Sequence, residues 1–410
     1  LIYTRPIFTI CEENMKKIQE PGIARKGFIP LCVPYLCGNE WKYIKECLDT
    51  NWVSSAGSFV DRFEQDLAKY VGAKYGVACV NGTAALHISL ILLGIGYNDE
   101  VITSDMTFVA PANAIRYVGA YPVFIDANYK TFQIDSEKLK DFLKNKCKNT
   151  KEGLLNKETK RIIKAILPVH ILGHCCDMEE IMDISRQYGL PVVEDATEAL
   201  GAKFSGKYAG TFGKLGVFSF NGNKIITTGG GGMIVTDDKN LAQKAKYLTT
   251  QAKDDSIEFI HNEIGYNYRL PNILAAMGCA QLENLEKYIN KKRKTAKLYN
   301  EKLSKISGIE IMNEPEKCES TFWLYTVKIE KKEYGMNRKE LMKKLLENKI
   351  ETRPLWQPMH LLKSHSSSYA YNCDNSEKLK DVSLSLPCSV GLSKDEQKEI
   401  VEVIERLVKK

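Results

Sequence analysis

The chain has 410 residues, 44% of them hydrophobic and 27% charged, a length and composition suited to a globular enzyme with a large domain and a smaller one. Its net charge of +7 and pI near 8.6 are mildly basic, but the charge is dispersed rather than striped, which argues against a nucleic-acid partner and suits an anionic substrate. No apolar stretch approaches the roughly 20 residues that cross a bilayer, and twelve cysteines without zinc-like spacing read as reduced thiols of a cytoplasmic protein without a metal site.

In chain order, residues 1–27 read as an N-terminal extension. The start, Leu1 to Gln19, is interrupted by Arg5, Pro6, Glu12 and Glu13, so it is neither a signal peptide nor a membrane span. Residues 28–60 are expected to pack with the small domain. Residues 61–282 form the large domain, in which short β-rich runs alternate with amphipathic ones. The strands expected are Tyr75–Val80, Val101–Ser104, Tyr121–Asp126, Ile162–Val169, Pro191–Asp195, Leu215–Phe220 and Met233–Thr236. Helical periodicity fills Ala84–Leu93, Asn113–Val118 and Met178–Tyr188. Such alternation predicts an α/β fold with a mostly parallel sheet covered on both faces, and ligands bind outside the carboxyl ends of such strands. Asn81, Thr107, His170, Asp195 and Ser219 all lie at or just past strand ends and should converge there.

Residues 283–410 read as a smaller α/β domain. Long Lys/Glu-rich helices (Asn284–Leu303, Arg338–Lys349 and Lys394–Val408) flank the short runs Phe322–Ile329 and Ile350–Pro354. The basic run Lys291–Lys294 reads as a solvated helix face, and Ser366–Ser368 as a mobile loop.

Two residues carry the strongest chemical signal. Lys224 follows an apolar strand within Ser219-Phe220-Asn221-Gly222-Asn223-Lys224 and precedes the glycines Gly229 to Gly232. Asp195 ends the run Leu190-Pro191-Val192-Val193-Glu194 at the point where a strand delivers a side chain. An amine for an aldehyde and a carboxylate for a pyridinium nitrogen are the two requirements of pyridoxal phosphate (PLP). Asn81-Gly82-Thr83-Ala84, between strand and helix, offers free amides to a phosphate; Thr83 can equally be a simple N-cap. Ser219 can add a hydroxyl. Phe108 can stack on a flat heterocycle or serve as a core ring. Glu198, three residues after Asp195, shares its side if a helical turn forms there, or acts as a capping acid. Gly265-Tyr266-Asn267-Tyr268-Arg269 is too polar and aromatic for a plain linker. The loop Arg353-Pro354-Leu355-Trp356-Gln357-Pro358-Met359-His360, fixed by two prolines, suits anion recognition and stacking.

Taken in order, the segments NGTAAL, TFVAPANAI, PVFID, EDATEALG, SFNGNKIITTGGGG, GYNYRL and ETRPLWQPMH resemble the DegT/StrS nucleotide-sugar aminotransferases from about Phe28 onward. The resemblance implies the fold type I (aspartate aminotransferase-like) architecture of PLP-dependent transferases. It implies a Schiff base at Lys224, Asp195 on the pyridine nitrogen, stacking by Phe108, and phosphate contacts from Gly82, Thr83 and Ser219. It also implies Asn267 reaching the phosphate from a partner subunit of a homodimer, and Glu198 beside the cofactor oxygen. Arg353 and His360 would lie near the sugar or its diphosphate. Within the group the chain is most similar to enzymes of bacillosamine and legionaminic acid routes. That similarity implies amination of C4 of a 4-keto-6-deoxy nucleotide sugar for bacterial surface glycans, probed first as a UDP-linked 2-acetamido-4-keto-2,4,6-trideoxyhexose, with glutamate as donor and 2-oxoglutarate as product.

Three rivals are weighed. The family's dehydratase branch carries histidine where this chain has Lys224. A non-catalytic regulatory homologue would not need Lys224, Asp195 and Ser219 together. A nicotinamide-dependent reductase lacks support because no GxGxxG follows the first strand. The chain departs from many relatives at Gly230 and Gly231, where an acid is common, and in its N-terminal extension.

Overall fold

Eight strands in one continuous order, with the hairpin Cys147–Thr150 and Gly153–Asn156 added on the strand Ile162–Leu167, build the central sheet of a computed structural model that describes residues 27–255 and 257–408. The expected extension thus lies outside the described residues apart from Gly27. The strands are β1 (Tyr75–Cys79), β2 (Glu100–Ser104), β3 (Tyr121–Ile125), β4 (Ile162–Leu167), β5 (Val193–Asp195), β6 (Leu215–Ser219), β7 (Gly232–Thr236) and β8 (Tyr369–Tyr371). Their spatial order is β1-β7-β6-β5-β4-β2-β3-β8, with β4 and β5 joined by the parallel bridges Ile166–Val192 and Val169–Asp195. Residues of β2 and β7 are buried throughout, as expected of strands covered on both faces. Within that order β7 runs antiparallel to its neighbours, β1 and β6, and the hairpin strand Gly153–Asn156 runs antiparallel to β4.

Helix starts follow from local capping. Asn81, Asp135 and Asp177 each accept an N–H of the first turn with the side chain, opening helices Gly82–Leu92, Ser136–Lys146 and Met178–Tyr188. The last of these ends at Gly189 in the left-handed conformation.

A second, antiparallel sheet of Ile309–Glu310, Tyr325–Ile329, Ser383–Leu386 and Arg353–Pro354 lies in the C-terminal region. Helices Leu285–Leu303, Arg338–Glu347 and Lys394–Leu407 accompany it. The last two open with reciprocal capping boxes, Asn337 with Glu340 and Ser393 with Glu396.

Several expectations need correction. Ser366–Ser368 is not a free loop: Ser368 N–H donates to the His365 carbonyl at 2.9 Å, and the chain enters β8 directly afterwards. β8 pairs in parallel with β3, so this part of the C-terminal region belongs to the central sheet. The Lys291–Lys294 run is not a uniformly solvated face, because Lys292 is 2% exposed. Residues 28–60 divide between the two regions. Ile29 pairs with Ile350, whereas helix Glu40–Asp49 lies on helix Asn272–Leu282, with Glu40 accepting from Gln281 at 2.5 Å.

Candidate active site

The carboxyl ends of β1, β5 and β6 open on a cleft of about 320 Å³, lined in part by Gly82, Thr83, Phe108, Glu198, Ser219 and Lys224. They come from four strand ends: Gly82 and Thr83 after β1, Phe108 after β2, Glu198 after β5, and Ser219 and Lys224 from the end of β6. Asn81 follows β1 and uses its side chain to accept the Ala84 N–H at 2.8 Å. That leaves the Gly82 and Thr83 amides at the helix start without intrahelical partners, and a helix start with open amides favours an anion. A Cβ on Gly82 would stand 3.0 Å from Ser219 Cβ and 3.1 Å from Thr197 Cγ2, so any larger residue would fill this cradle.

Asp195 ends β5 and is 2% exposed. Its Oδ1 accepts the Thr197 N–H at 3.0 Å, and among the described residues no Lys or Arg forms an ion pair with it. Burial pushes its pKa up. A buried carboxyl without a cation is costly on its own and fits a cationic ligand atom.

Glu198 is also buried, and its Oε2 accepts the Leu172 N–H at 2.9 Å. No helical turn carries it; Ala196 to Ala199 form a tight turn closed by the Ala199 N–H on the Ala196 carbonyl at 3.0 Å. Its Oε1 stands 3.7 Å from Lys224 Nζ. Burial raises its pKa to about 7, with the Lys224 ammonium opposing the rise.

Lys224 Nζ also lies 4.2 Å from the ring centroid of Trp323, within reach of a cation–π interaction. The Trp323 indole N–H donates to the Asn223 carbonyl at 2.7 Å, pinning the peptide that precedes the lysine. Phe108 is 53% exposed, an aromatic face left open toward the cleft. Thr107 Oγ1, next to it, is buried without a hydrogen-bond partner. Phosphate-binding amides, a buried acid, an exposed ring and an amine are the donor set that PLP requires.

Not every residue singled out from the sequence gathers here. Asn267 is exposed and pairs with Thr250, outside the cleft lining. Arg353 is exposed and ion-paired with Glu351 at 2.5 Å. His360 turns away: its Nδ1 is 2.8 Å from the buried Asp105 carboxylate, and its backbone N–H donates to the same group at 3.0 Å. Trp356 of the same loop does line the cleft. His170 lies behind β5, with Nε2 3.0 Å from Glu194 and Nδ1 accepting the Cys176 N–H at 3.0 Å. Trp323 escaped sequence reasoning because its contact with Asn223 spans 100 residues and it stands at the edge of an ordinary strand run.

This sheet order, with Asp195 buried at the end of β5 and Lys224 in the cleft at the neighbouring strand ends, is the arrangement of the fold type I, PLP-dependent class. The chain belongs to the DegT/DnrJ/EryC1/StrS aminotransferase family, whose profile matches residues 35–405. It is 37% identical over 383 residues to GDP-perosamine synthase of Caulobacter vibrioides, covering 93% of this chain and 98% of that one. It is 38% identical over 380 residues to a Bacillus subtilis protein provisionally named pyridoxal phosphate-dependent aminotransferase EpsN, covering 92% and 95%. The crystal structure of a DegT DnrJ EryC1 StrS aminotransferase from Brucella abortus superposes with a TM-score of 0.82 at 28% identity, covering 91% of this chain and 96% of that one. The chain is accordingly a sugar aminotransferase. Among the described residues no helix is long and apolar enough to cross a membrane.

Proposed function

We propose that the protein binds PLP through Lys224 and transfers the amino group of glutamate to C4 of a 4-keto-6-deoxy nucleotide sugar. The observation that carries this reading is Lys224 Nζ beside Glu198, in a cleft that also offers the Gly82 and Thr83 amides, the Ser219 hydroxyl and the Phe108 ring. When bound, PLP supplies an aldehyde for the amines and a pyridinium ring that takes up the electron pair left on removal of the Cα proton.

The chain's own groups do the rest. The amides of Gly82 and Thr83 and the Ser219 hydroxyl hold the phosphate. Asp195, buried at the end of β5, keeps a proton on the ring nitrogen. Phe108 covers one ring face and keeps water from it. Lys224 Nζ would hold the aldehyde and, as a free amine, would carry the proton to and from the substrate carbon. A proton shuttle of that kind is worth roughly 10²–10⁴-fold in rate. Glu198, its pKa raised to about 7, can hold a proton beside the amine at neutral pH. We assign Asn267 to the phosphate of a partner subunit, so the active unit is a homodimer; its exposure outside the cleft supports this. Arg353 is assigned to the sugar diphosphate, supported by its exposure alone. His360 is set back on Asp105 and acts on the sugar side only through its loop.

Two nucleotides are in play. The resemblance to bacillosamine and legionaminic acid enzymes favours a UDP-linked 2-acetamido sugar, whereas the relative named GDP-perosamine synthase favours a GDP-linked one.

The test is an absorbance scan of the purified protein with PLP. A band at roughly 410–430 nm that moves toward about 330 nm with glutamate is expected, together with a borohydride-reduced adduct on Lys224 that disappears in Lys224→Ala. UDP- and GDP-linked 4-ketosugars, added separately, then show which restores the band. A protein that takes up no PLP overturns the reading.

A further inference from the structure

Lys292 sits in the middle of helix Leu285–Leu303, is 2% exposed, and forms no ion pair with a carboxylate among the described residues. Its ammonium donates to the carbonyls of Trp323 at 2.9 Å and Cys388 at 2.7 Å. It also stands 3.8 Å from the Cys388 sulfur and 4.0 Å from the Cys32 sulfur. A buried ammonium needs an anion near it, and these sulfurs are the groups within reach that can become one.

The two cysteines are held side by side by their backbones. Cys388 N–H donates to the Leu31 carbonyl at 2.9 Å, and Val33 N–H donates to Ser389 Oγ at 3.0 Å. The neighbouring Cys32 thiol and the Lys292 ammonium, working against burial, hold the Cys388 thiol below its usual range. The neighbouring Cys388 sulfur and burial raise Cys32. Cys388 is thus the sulfur of the pair that more readily gives up its proton. Cys32 is only half-buried, which gives small reagents a way in.

The pair also touches the Lys224 loop. Cys32 Sγ donates to the Asn223 carbonyl at 3.6 Å, the same oxygen that receives the Trp323 indole N–H. Cys388 Sγ lies 3.4 Å from the Trp323 carbonyl.

We propose that Cys32 and Cys388 are a modification site for hydroperoxides, forming a reversible disulfide against the loop that carries Lys224. The Cys388 thiolate attacks one oxygen of the peroxide, the O–O bond breaks, and hydroxide leaves, giving a sulfenic acid. The Cys32 sulfur then displaces the second hydroxide from that sulfur and gives up its proton. Two sulfurs lose one electron each and hydrogen peroxide gains both; its oxygens leave as two waters, one hydroxide taking the Cys32 proton and the other a proton from solvent. A dithiol such as dithiothreitol reverses the bond by exchange. The disulfide removes the S–H donor on Asn223 and the anion beside Lys292, so Asn223 and Trp323 lose part of their support. Bond formation is independent of the aminotransferase reading; its effect on turnover rests on that reading.

The experiment treats the full chain with hydrogen peroxide, alkylates the remaining thiols, digests, and maps the peptides by mass. A Cys32–Cys388 linked peptide is expected, lighter by two hydrogens than the two peptides together and lost on dithiothreitol. It should be absent from Cys32→Ser and from Cys388→Ser. Both thiols recovered as alkylated peptides, or linkage confined to other cysteines such as Cys175 and Cys318, overturns the site. If either serine variant fails to fold, the wild-type map alone decides. In the holoenzyme, peroxide should lower turnover about tenfold or more with recovery on dithiothreitol, a change of that size being about 1.4 kcal/mol in barrier. A linked peptide with unchanged turnover overturns the coupling to the Lys224 loop.

Discussion

Replacing Glu198 with Gln isolates what the second buried carboxyl costs this cleft. Burial holds that carboxyl at about 7 in the folded chain instead of its ordinary 4.5, even with the Lys224 ammonium nearby. The folded state therefore keeps the proton more tightly than the unfolded one. Between those two values the folded chain binds more protons, so stability falls as pH rises through the window and stays lower above it. At about 1.36 kcal/mol per pH unit, the loss levels off at roughly 3 kcal/mol. The variant keeps an oxygen to accept the Leu172 N–H but has no charge to desolvate. Urea unfolding of both proteins, freed of cofactor, at about pH 5 and about pH 8 reads the effect as a difference, in which all other titrations cancel. We expect near-equal stabilities at the lower pH, and at the higher pH a variant more stable by up to roughly 3 kcal/mol. Parallel pH profiles for the two proteins would refute the reasoning, because they would mean that Glu198 meets the same environment folded and unfolded.

Four further outcomes are expected. Gly82→Ala puts a Cβ 3.0 Å from Ser219 Cβ and 3.1 Å from Thr197 Cγ2, contacts that need shifts of only a few tenths of an ångström, so the fold should survive while affinity for PLP, followed by absorbance titration, drops about tenfold or more. Gly216→Ala would set a Cβ 1.8 Å from the Gly210 carbonyl oxygen, a backbone clash that should cost at least about 3 kcal/mol in thermal unfolding. Gly222→Ala, with nothing within 4 Å of its Cβ, is the control and should change stability by less than about 0.5 kcal/mol. Hydrogen bonding to Asp105 raises the His360 pKa against the effect of partial burial, so this pair stabilises the fold fully below the ordinary histidine value and less as pH rises through the raised one. Unfolding free energies measured from about pH 6 to pH 9 should therefore fall more steeply for wild type than for His360→Gln, and equal slopes would count against the pair.

Much of the site is legible in the sequence because each of its groups sits at the end of a strand. A parallel sheet brings strand ends to one edge, so Gly82, Phe108, Asp195 and Ser219 need only their places in the strand–helix alternation to be brought together. What escaped notice is what adjacency along the chain does not encode. β7 is buried on both faces, and such a strand reads the same whichever way it runs. β8 has three residues and arrives from the C-terminal region, too short for any period to register. Glu198 reaches the cleft on a tight turn, since a turn and the start of a helix share their first hydrogen bond. The Arg353–His360 loop was read as one recognition unit, yet the backbone sends Trp356 to the cleft, His360 to Asp105 and Arg353 to Glu351. Lys292 looked like one more surface charge because a count of lysines does not register which turn of a helix faces inward.

The buried charges share a physical logic that composition does not reveal. Asp195 and Glu198 are both held near one amine, and burial works against the charged form of each. In the chain alone such groups lower stability, and sequences that fold well usually avoid them. Their retention at one end of one sheet makes sense if a ligand completes them: a cation for Asp195, and for Glu198 a change in what Lys224 carries. The same accounting applies at Lys292, where the missing counter-charge is a thiolate rather than a carboxylate. An anion whose charge can be removed by oxidation makes the support of Asn223 and Trp323 conditional, which a carboxylate in the same place would not do.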